Sequence, residues 1–186
     1  MRILQKALRS YEKRLDKSYT RIWRIFGPLV GVSIGKGTII RRGALLSTKY
    51  GGSIHIGDSC EILPTAKILT YGGAVRLGNA CSLNYHSIIY GHGGVTIGNG
   101  VRIAAHCVLI PANHTYDDPN TFIYKQPEER QGITIKDDVW LGANCTVLDG
   151  VCIEQGCVVG AGAVVTKSTE PMGIYVGVPA RKVKSR

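Results

Sequence analysis

The sequence predicts an all-β solenoid, namely a parallel β-helix of hexapeptide repeats with a short N-terminal α-helix and one long excursion loop. Gly-Gly pairs recur with a spacing of 21 residues, beginning at Gly51, Gly72 and Gly93. Large aliphatic residues recur in steps of six, and small residues recur at a second fixed position of the same repeat. Internal repeats of this kind are typical of solenoids, in which each repeat packs only on its neighbours.

The aliphatic series supplies the core of the predicted β-helix. Its members are all Ile, Leu or Val, at positions 34, 40, 46, 56, 62, 68, 77, 83, 89, 97, 103, 109, 135, 141, 147, 153, 159 and 165. The small series consists of Thr38, Ala44, Cys60, Ala66, Cys81, Ser87, Val101, Cys107, Val139, Cys145, Val151, Cys157 and Ala163. A hexad with one large and one small inward residue forms a short strand and a bend. Three hexads make one triangular coil, which closes its core only by parallel stacking.

The composition agrees with a core of aliphatic side chains. Of the 186 residues 44 % are hydrophobic, yet only 7 % are aromatic, and 24 are glycine. This balance indicates repeated turns rather than a core of large rings. The length suits one domain with short appendages. We therefore expect an N-terminal helix and linker at 1–30, a β-helix at 31–170 with an excursion loop at 115–132, and a basic C-terminal tail at 171–186.

The cysteines have a structural explanation. Five of the six occupy the small inward positions, where a free thiol behaves as a small apolar side chain. No CxxC pair is present, so the sequence lacks the spacing that is typical of structural zinc sites. Neither a secretory signal nor a membrane-spanning segment is apparent. We therefore expect reduced thiols in a cytoplasmic protein.

Residues 3–26 predict an amphipathic helix with a basic face. Its apolar stripe consists of Leu4, Leu8, Tyr11, Leu15, Tyr19, Ile22 and Phe26. Residues 1–26 hold eight Lys or Arg against two acids, and the whole chain has a formal net charge of +10. We expect the stripe to cap the open end of the β-helix; the alternative is peripheral contact with the inner face of a membrane. Motifs for nucleic-acid recognition are missing, so we expect no nucleic-acid partner.

The excursion loop and the histidine before it form the first candidate site. The loop has two prolines, several charges and three aromatic residues, and a loop this long in a compact solenoid is usually functional. His114 stands where the hexads stop, so its ring can face a cleft instead of the core. Imidazoles titrate near neutral pH and can act as general bases. The alternative is a zinc site formed by His86, His92 and His106.

The basic tail is the second candidate site. Residues 167–186 carry five cationic side chains, at Lys167, Arg181, Lys182, Lys184 and Arg186, against Glu170 alone. Such a cluster suits a phosphate-rich ligand, and a solvated terminus is the alternative.

Three segments add a family resemblance to the hexads. Residues 135–143, IKDDVWLGA, open the coil after the excursion loop, and residues 160–167, GAGAVVTK, with residues 177–181, GVPAR, follow at the C-terminal end. Together they resemble the hexapeptide-repeat acyltransferases over about residues 31–186, and most of all the branch that O-acetylates sugars and polysaccharides. The resemblance implies a left-handed β-helix, a homotrimer with active sites between subunits, and acetyl-CoA as co-substrate without a metal.

The resemblance also implies roles for individual residues. The catalytic histidine of the family corresponds to His114, and its acceptor-binding positions correspond to Asn84, His86 and His92. Contacts with coenzyme A are implied for Trp140, Gly142, Ala143, Ala161, Thr166, Lys167, Arg181 and Lys184. The N-terminal helix does not resemble the helical cap of the maltose-type enzymes, which favours an acceptor other than a small free sugar.

We therefore expect an acetyl-CoA-dependent O-acetyltransferase. His114 would remove the proton from a hydroxyl of a sugar or polysaccharide precursor, and the oxygen would attack the thioester directly. Three alternatives stay open: N-acetylation of an amino-sugar nucleotide, a zinc-dependent lyase similar to carbonic anhydrase, and a solenoid scaffold without catalysis. A measurement of metal content would distinguish the lyase from the transferases. A measurement of coenzyme A binding would distinguish the transferases from the scaffold.

Overall fold

The computed structural model describes residues 2–186 and shows a parallel β-helix with one long helix at its N-terminal end. Met1, the first residue of the expected segment 1–30, lies outside the described residues. Helix α1 spans Arg2–Phe26, and a 3₁₀ turn at Gly27–Val30 leads into the first coil. None of the helices in residues 2–186 has the length and apolarity that crossing a bilayer requires.

Three sheets form the sides of the β-helix, and within them the strands are parallel except for an antiparallel hairpin at the C-terminal end. Sheet A contains β1 (Val32–Ile34), β4 (Ser53–Ile56), β7 (Ala74–Leu77), β10 (Val95–Ile97), β15 (Ile133–Ile135) and β18 (Cys152–Ile153). Sheet B contains β2 (Ile39–Ile40), β5 (Glu61–Ile62), β8 (Ser82–Leu83), β11 (Arg102–Ile103), β16 (Trp140–Leu141), β19 (Val158–Val159) and the hairpin strands β21 (Gly173–Val176) and β22 (Arg181–Ser185). Sheet C contains β3 (Leu45–Ser47), β6 (Lys67–Leu69), β9 (Ile88–Tyr90), β12 (Val108–Leu109), β17 (Thr146–Val147) and β20 (Val164–Val165).

Each coil visits sheets A, B and C in turn and therefore has three edges, which we call AB, BC and CA after the sheets that they join. The aligned residues in sheet A are Val32, Ile54, Val75, Val95 and Ile133. Successive coils therefore take 22, 21, 20 and 38 residues, and the step from Thr134 to Cys152 takes 18. The six coils and the single excursion confirm the predicted solenoid and are consistent with a left-handed β-helix.

The core is the one that the hexads predict. Of the eighteen aliphatic positions all are buried except Ile34, which is partly exposed in the first coil, and every small position is buried. The five inward thiols donate hydrogen bonds to carbonyls of the next coil, for example Cys81 Sγ to Gly98 O at 3.0 Å. All five are 2 % exposed or less, so these thiols act as packing groups.

Side-chain oxygens order the AB edge. Asn79 Oδ1 accepts a hydrogen bond from the N–H of Asp58 at 2.8 Å, and Asn99 Oδ1 accepts one from the N–H of Asn79 at 2.8 Å. Asp137 Oδ1 does the same for Asn99 at 2.7 Å. The preceding glycines leave room for this contact, because a Cβ on Gly57 would lie 2.5 Å from Asn79 Oδ1. The ladder holds each coil in register with the next.

Helix α1 caps the first coil through its C-terminal half. The backbone N–H of Ile40 donates a 2.9 Å hydrogen bond to Thr20 Oγ1, and the Thr20 hydroxyl is shared between the carbonyls of Asp16 at 2.8 Å and Ile40 at 3.1 Å. The Tyr19 hydroxyl donates to another carbonyl of the first coil at 3.1 Å. The carboxylate of Asp16 pairs with Arg41 at 2.7 Å. These contacts satisfy the backbone groups that the first coil would otherwise leave unpaired.

The prediction that the apolar stripe of α1 makes this cap is wrong for most of its members. Leu15 and Tyr19 are partly covered, but the exposed fractions of the other members are 66 % for Leu4, 53 % for Leu8, 61 % for Tyr11, 54 % for Ile22 and 58 % for Phe26. The reason is the chemistry of the open end, where β2 presents unpaired N–H and C=O groups. Thr20 and Asp16, which lie on another face of the helix, form hydrogen bonds with backbone groups at this end.

Candidate active site

The predicted site residues lie on two edges of the β-helix and on its C-terminal hairpin. The CA edge carries His92, His114, Thr166 and Lys167. The BC edge carries Asn84, His86, Gly142, Ala143 and Ala161. Trp140 lies in β16 of sheet B, and Arg181 and Lys184 lie in β22. Because sheet C separates the two edges, one chain does not bring His114 and Asn84 together.

His114 lies at the base of a short antiparallel ribbon through which the excursion leaves and rejoins the β-helix. The ribbon consists of β13 (Asn113–His114) and β14 (Glu128–Glu129), with His114 opposite Glu128. The N–H and the hydroxyl of Thr115 both donate to one carbonyl at 2.9 Å. The side-chain amide of Gln126 donates to two carbonyls within the loop, at 2.9 and 2.8 Å. The ribbon therefore gives His114 a defined position.

A carboxylate faces the His114 ring. Nε2 of His114 lies 3.6 Å from Oε1 of Glu128, and the two side chains are 51 % and 27 % exposed. Arg130 donates to the other oxygen of Glu128 through Nη2 at 2.8 Å and Nε at 3.0 Å. The hydrogen bond from Arg130 lowers the pKa of Glu128, so the carboxylate is ionised at neutral pH. It can stabilise a positive charge on the imidazole.

An open cleft adjoins His114. It has a volume of about 410 Å³ and is also lined by Thr115, Tyr116, Asp117 and Glu129. Its lining is polar apart from the accessible ring of Tyr116, which is 73 % exposed. The cleft has the size and polarity for a polar ring with several hydroxyls.

A ladder of aromatic rings runs along the CA edge. His92 stacks on Tyr71 with ring centroids 4.6 Å apart and 4° between the planes. Tyr50 stacks on the other side of Tyr71 at 5.3 Å, and Tyr90 lies 5.9 Å from His92. Burial lowers the pKa of His92, and its buried Nδ1 has no hydrogen-bond partner within residues 2–186. The ring is therefore neutral and can accept or donate a hydrogen bond to a ligand.

Two contributions to the CA edge were not predicted from the sequence. Tyr50, Tyr71 and His92 directly precede the three Gly-Gly pairs, so their shared spacing of 21 residues was the signal that could have identified the ladder. Glu128 has no such signal. Its position opposite His114 follows from the pairing of the ribbon, which the hexads do not encode.

The BC edge holds the predicted acceptor residues in a different setting. Asn84 Nδ2 donates to the carbonyl of Ile103 at 2.9 Å, which leaves Oδ1 free to accept a hydrogen bond. The ring of His86 stacks on His106 with centroids 4.8 Å apart. Both of these histidines have a φ close to +60°, which places them at the tight bend of the edge. Asn84 thus presents one oxygen outward, and His86 presents a ring face that is already covered.

The same edge offers backbone donors two coils further on. A Cβ on Gly142 would lie 2.6 Å from the backbone nitrogen of Ala161, so only glycine fits there. The N–H groups of Ala143 and Ala161 donate no hydrogen bond within residues 2–186. Trp140, 54 % exposed, projects from the adjoining sheet. The free backbone N–H groups and the exposed indole ring can bind an extended ligand that has both amide and apolar segments.

Ion pairs divide the basic tail into two groups. Lys182 pairs with Glu170 at 2.6 Å, and Arg186 pairs with Asp138 at 2.8 Å. Within residues 2–186, Lys167, Arg181 and Lys184 have no carboxylate partner. The three unneutralised cations are the three of the tail for which the family resemblance implies contacts with coenzyme A.

The histidines of the zinc alternative do not converge. His86 and His106 stack on the BC edge, whereas His92 lies on the CA edge. In the described part of the chain no group of three or more His, Cys, Asp or Glu side chains is arranged to hold a metal ion.

Known proteins share this repeat and this architecture. The family described as bacterial transferase hexapeptide (six repeats) matches residues 132–167. Galactoside O-acetyltransferase of Escherichia coli is 30 % identical over 138 residues, which make up 73 % of this chain and 55 % of that protein. A probable acetyltransferase of Mycobacterium tuberculosis is 32 % identical over 156 residues, or 83 % of this chain and 50 % of that protein. The chain thus spans about half the length of these curated relatives.

A solved structure extends the likeness to three dimensions. It is an N-acyltransferase of Bacillus cereus in complex with dTDP-4-amino-4,6-dideoxyglucose and coenzyme A. Its TM-score against this chain is 0.74 at 25 % identity, and the match covers 86 % of this chain and 87 % of that one.

Proposed function

Because the chain belongs to the hexapeptide-repeat transferases, we propose that it transfers an acetyl group from acetyl-CoA to a hydroxyl of a sugar or polysaccharide precursor. The observation that carries the proposal is the half-exposed His114 ring, held 3.6 Å from the carboxylate of Glu128 beside an open cleft. The similarity to galactoside O-acetyltransferase, an enzyme named for acetyl transfer to a hydroxyl of a sugar, supports it.

In the proposed mechanism His114 is the general base. Nε2 carries its proton toward Glu128, so the lone pair on Nδ1 takes the proton of the acceptor hydroxyl. The acceptor oxygen bonds to the thioester carbonyl carbon, and collapse of the tetrahedral intermediate breaks the carbon–sulfur bond. The imidazolium then returns its proton to the leaving thiolate. The carboxylate of Glu128 stabilises the imidazolium, and in the trimer proposed below the free N–H of Ala143 from a neighbouring copy would stabilise the oxyanion.

The donor groove is the second part of the proposal. Lys167, Arg181 and Lys184 hold the phosphates of coenzyme A, because charge-assisted contacts require cations that no carboxylate already neutralises. Trp140 packs against the apolar arm of the donor. Gly142 and Ala161, on the BC edge of one copy, and Thr166, on the CA edge of the next, would line the groove between these contacts in the trimer proposed below.

We further propose a homotrimer with active sites between subunits. The CA edge holds His114 and Lys167, whereas the BC edge holds Asn84 and Ala143. A closed ring that sets the CA edge of one subunit against the BC edge of the next unites both sets. Light scattering should give about three times the chain mass of 20.1 kDa, and a fully active monomer would contradict the shared site. The domain limits 1–30, 31–170 and 171–186 and the cytoplasmic location stay predictions.

His114→Ala tests the function directly. Turnover, measured as thiol release from acetyl-CoA with a panel of sugars, should fall by roughly 10²–10⁴-fold. Calorimetric binding of coenzyme A should persist, because its proposed contacts lie on later coils. The matched control is His55→Ala, which removes an exposed histidine of sheet A. Near-normal turnover in His114→Ala would refute the mechanism.

A second candidate function is acetylation of an amino group on a nucleotide-linked sugar. The similarity to the N-acyltransferase from Bacillus cereus favours it. The same sugar panel decides between the candidates if each hydroxyl acceptor is paired with its amino analogue. Faster turnover of the amine would identify the reaction as N-acetylation. His114 would remain the general base.

A further inference from the structure

Helix α1 has an apolar face that the protein leaves uncovered. Leu4, Leu8, Tyr11, Ile22, Ile25 and Phe26 are each more than half exposed. At about 100° per residue, these six side chains fall within a sector of roughly 100° along the whole helix. We call this set the apolar face. The residues that contact the β-helix, Asp16, Tyr19, Thr20, Trp23 and Arg24, are centred roughly 140° away.

The N-terminal half of α1 lies beside the β-helix, where Arg9, Glu12 and Lys13 line an open cleft together with residues of the first coils. Residues 4–14 are all exposed, and the cap contacts begin only at Asp16. An isolated helix of this length is marginal in water, because most helices in proteins depend on packing of an apolar face. The single chain therefore leaves the apolar face without a packing partner.

The charge of the helix indicates the chemistry of that partner. Residues 1–26 carry eight Lys or Arg and two acids, and one of the two acids, Asp16, is already paired with Arg41. Lys6, Lys13 and Lys17 lie on the side of the helix opposite the apolar face, and Arg14 and Arg21 flank it. An interfacial membrane helix has this arrangement, with apolar side chains among lipid chains and basic side chains reaching anionic headgroups.

We propose that α1 docks the protein onto an anionic lipid surface through its apolar face. A second α1 helix is a poor occupant, because each α1 carries eight Lys or Arg against two acids and would meet a helix of the same sign. Anionic lipid offers the complementary charge together with an apolar layer for Leu4, Leu8 and Tyr11. Since the contacts with the β-helix lie on another face, docking leaves the cap at Thr20 intact and the β-helix on the aqueous side.

Flotation with lipid vesicles tests the proposal on the full chain without acetyl-CoA. The chain should bind vesicles of equimolar phosphatidylcholine and phosphatidylglycerol, and raising the salt concentration should release it. Leu4→Gln with Leu8→Gln should lower the partition coefficient by roughly tenfold or more, because the charge is kept and only apolar contact is lost. The matched control, Gln5→Ala with Ser10→Ala, changes two exposed residues outside the apolar face and should bind as the parent does.

Two results would overturn the docking proposal. One is absence of parent binding to the anionic vesicles, and the other is equal binding of the parent and Leu4→Gln/Leu8→Gln. Sedimentation without lipid shows which occupant replaces the membrane, since a smaller assembly in the double variant would mean that a second copy covers the face. Vesicle binding uses no substrate, so failure of the proposed transferase activity would leave this inference untouched, and the reverse also holds.

Discussion

Replacing Glu128 with Gln isolates the electrostatic part of the proposed catalysis. The substitution keeps the size of the side chain and removes its negative charge. The ribbon should persist, because the backbone pairing of His114 with Glu128 does not involve the carboxylate. Arg130 loses its ion-pair partner but is half exposed and can be solvated. The expected result is a lower kcat, since the imidazolium formed during proton transfer loses its compensating charge.

The geometry sets the size of the effect. Two unit charges 3.6 Å apart attract by about 1 kcal/mol in water and by about 4–5 kcal/mol at an effective dielectric constant near 20. His114 and Glu128 are 51 % and 27 % exposed, and exposed pairs contribute near the lower limit. We therefore expect a loss of about 1–2 kcal/mol of transition-state stabilisation, or roughly 5- to 30-fold in kcat.

Steady-state thiol release at saturating acetyl-CoA measures this change. The control is Glu12→Gln, which removes an equal charge from an exposed residue of α1 that lines no part of the His114 cleft. Glu128→Gln should lower kcat with little change in KM for acetyl-CoA, whereas Glu12→Gln should change neither constant. Equal kcat values in the two variants would show that the carboxylate beside His114 has no part in catalysis.

Three further predictions follow from the donor groove, the core and the aromatic ladder. Lys167→Ala with Arg181→Ala should raise KM for acetyl-CoA by about tenfold or more and leave KM for the acceptor unchanged; Lys182→Ala, which removes a cation already paired with a carboxylate, should do neither. Ile103→Ala should lower the free energy of unfolding, measured by denaturant titration, by about 2–5 kcal/mol, because it leaves a cavity in a fully buried layer. Since burial lowers the pKa of His92, the folded protein keeps the ring neutral, and stability should fall as pH drops from the ordinary histidine pKa toward this lower value. His92→Phe should remove this contribution of His92 to the pH dependence of Tm. A Tm profile identical to that of the parent would contradict a lowered pKa of His92.

The core could be predicted from the sequence because residues one repeat apart in a solenoid occupy equivalent positions in space. A residue six places further on occupies the same site on the next side, so one repeating apolar choice yields a continuous core. Ile34 departs from the pattern for a physical reason. It lies in the first coil, which has a neighbouring coil on one side only.

The contacts of α1 could not be predicted in the same way. A periodic stripe shows which face of a helix is apolar and does not show what that face meets. The end of the β-helix presents backbone donors and acceptors, and Thr20 satisfies both groups of Ile40. The candidate site shows the same division. His114 could be identified where the hexads stop, whereas Glu128 depends on a ribbon pairing that no repeat encodes.

Coil length varies at one edge alone. The aliphatic positions stand six residues apart across every AB and BC edge, but across successive CA edges they stand 10, 9, 8, 26 and 6 residues apart. The oxygen ladder of Asp58, Asn79, Asn99 and Asp137 keeps the AB edge in phase, so extra residues at the CA edge leave the core unmoved. The CA edge therefore accepts insertions of different length without disturbing the core. Segments of very different length could be exchanged there, during evolution or by engineering, to remodel the surroundings of His114 without a new scaffold.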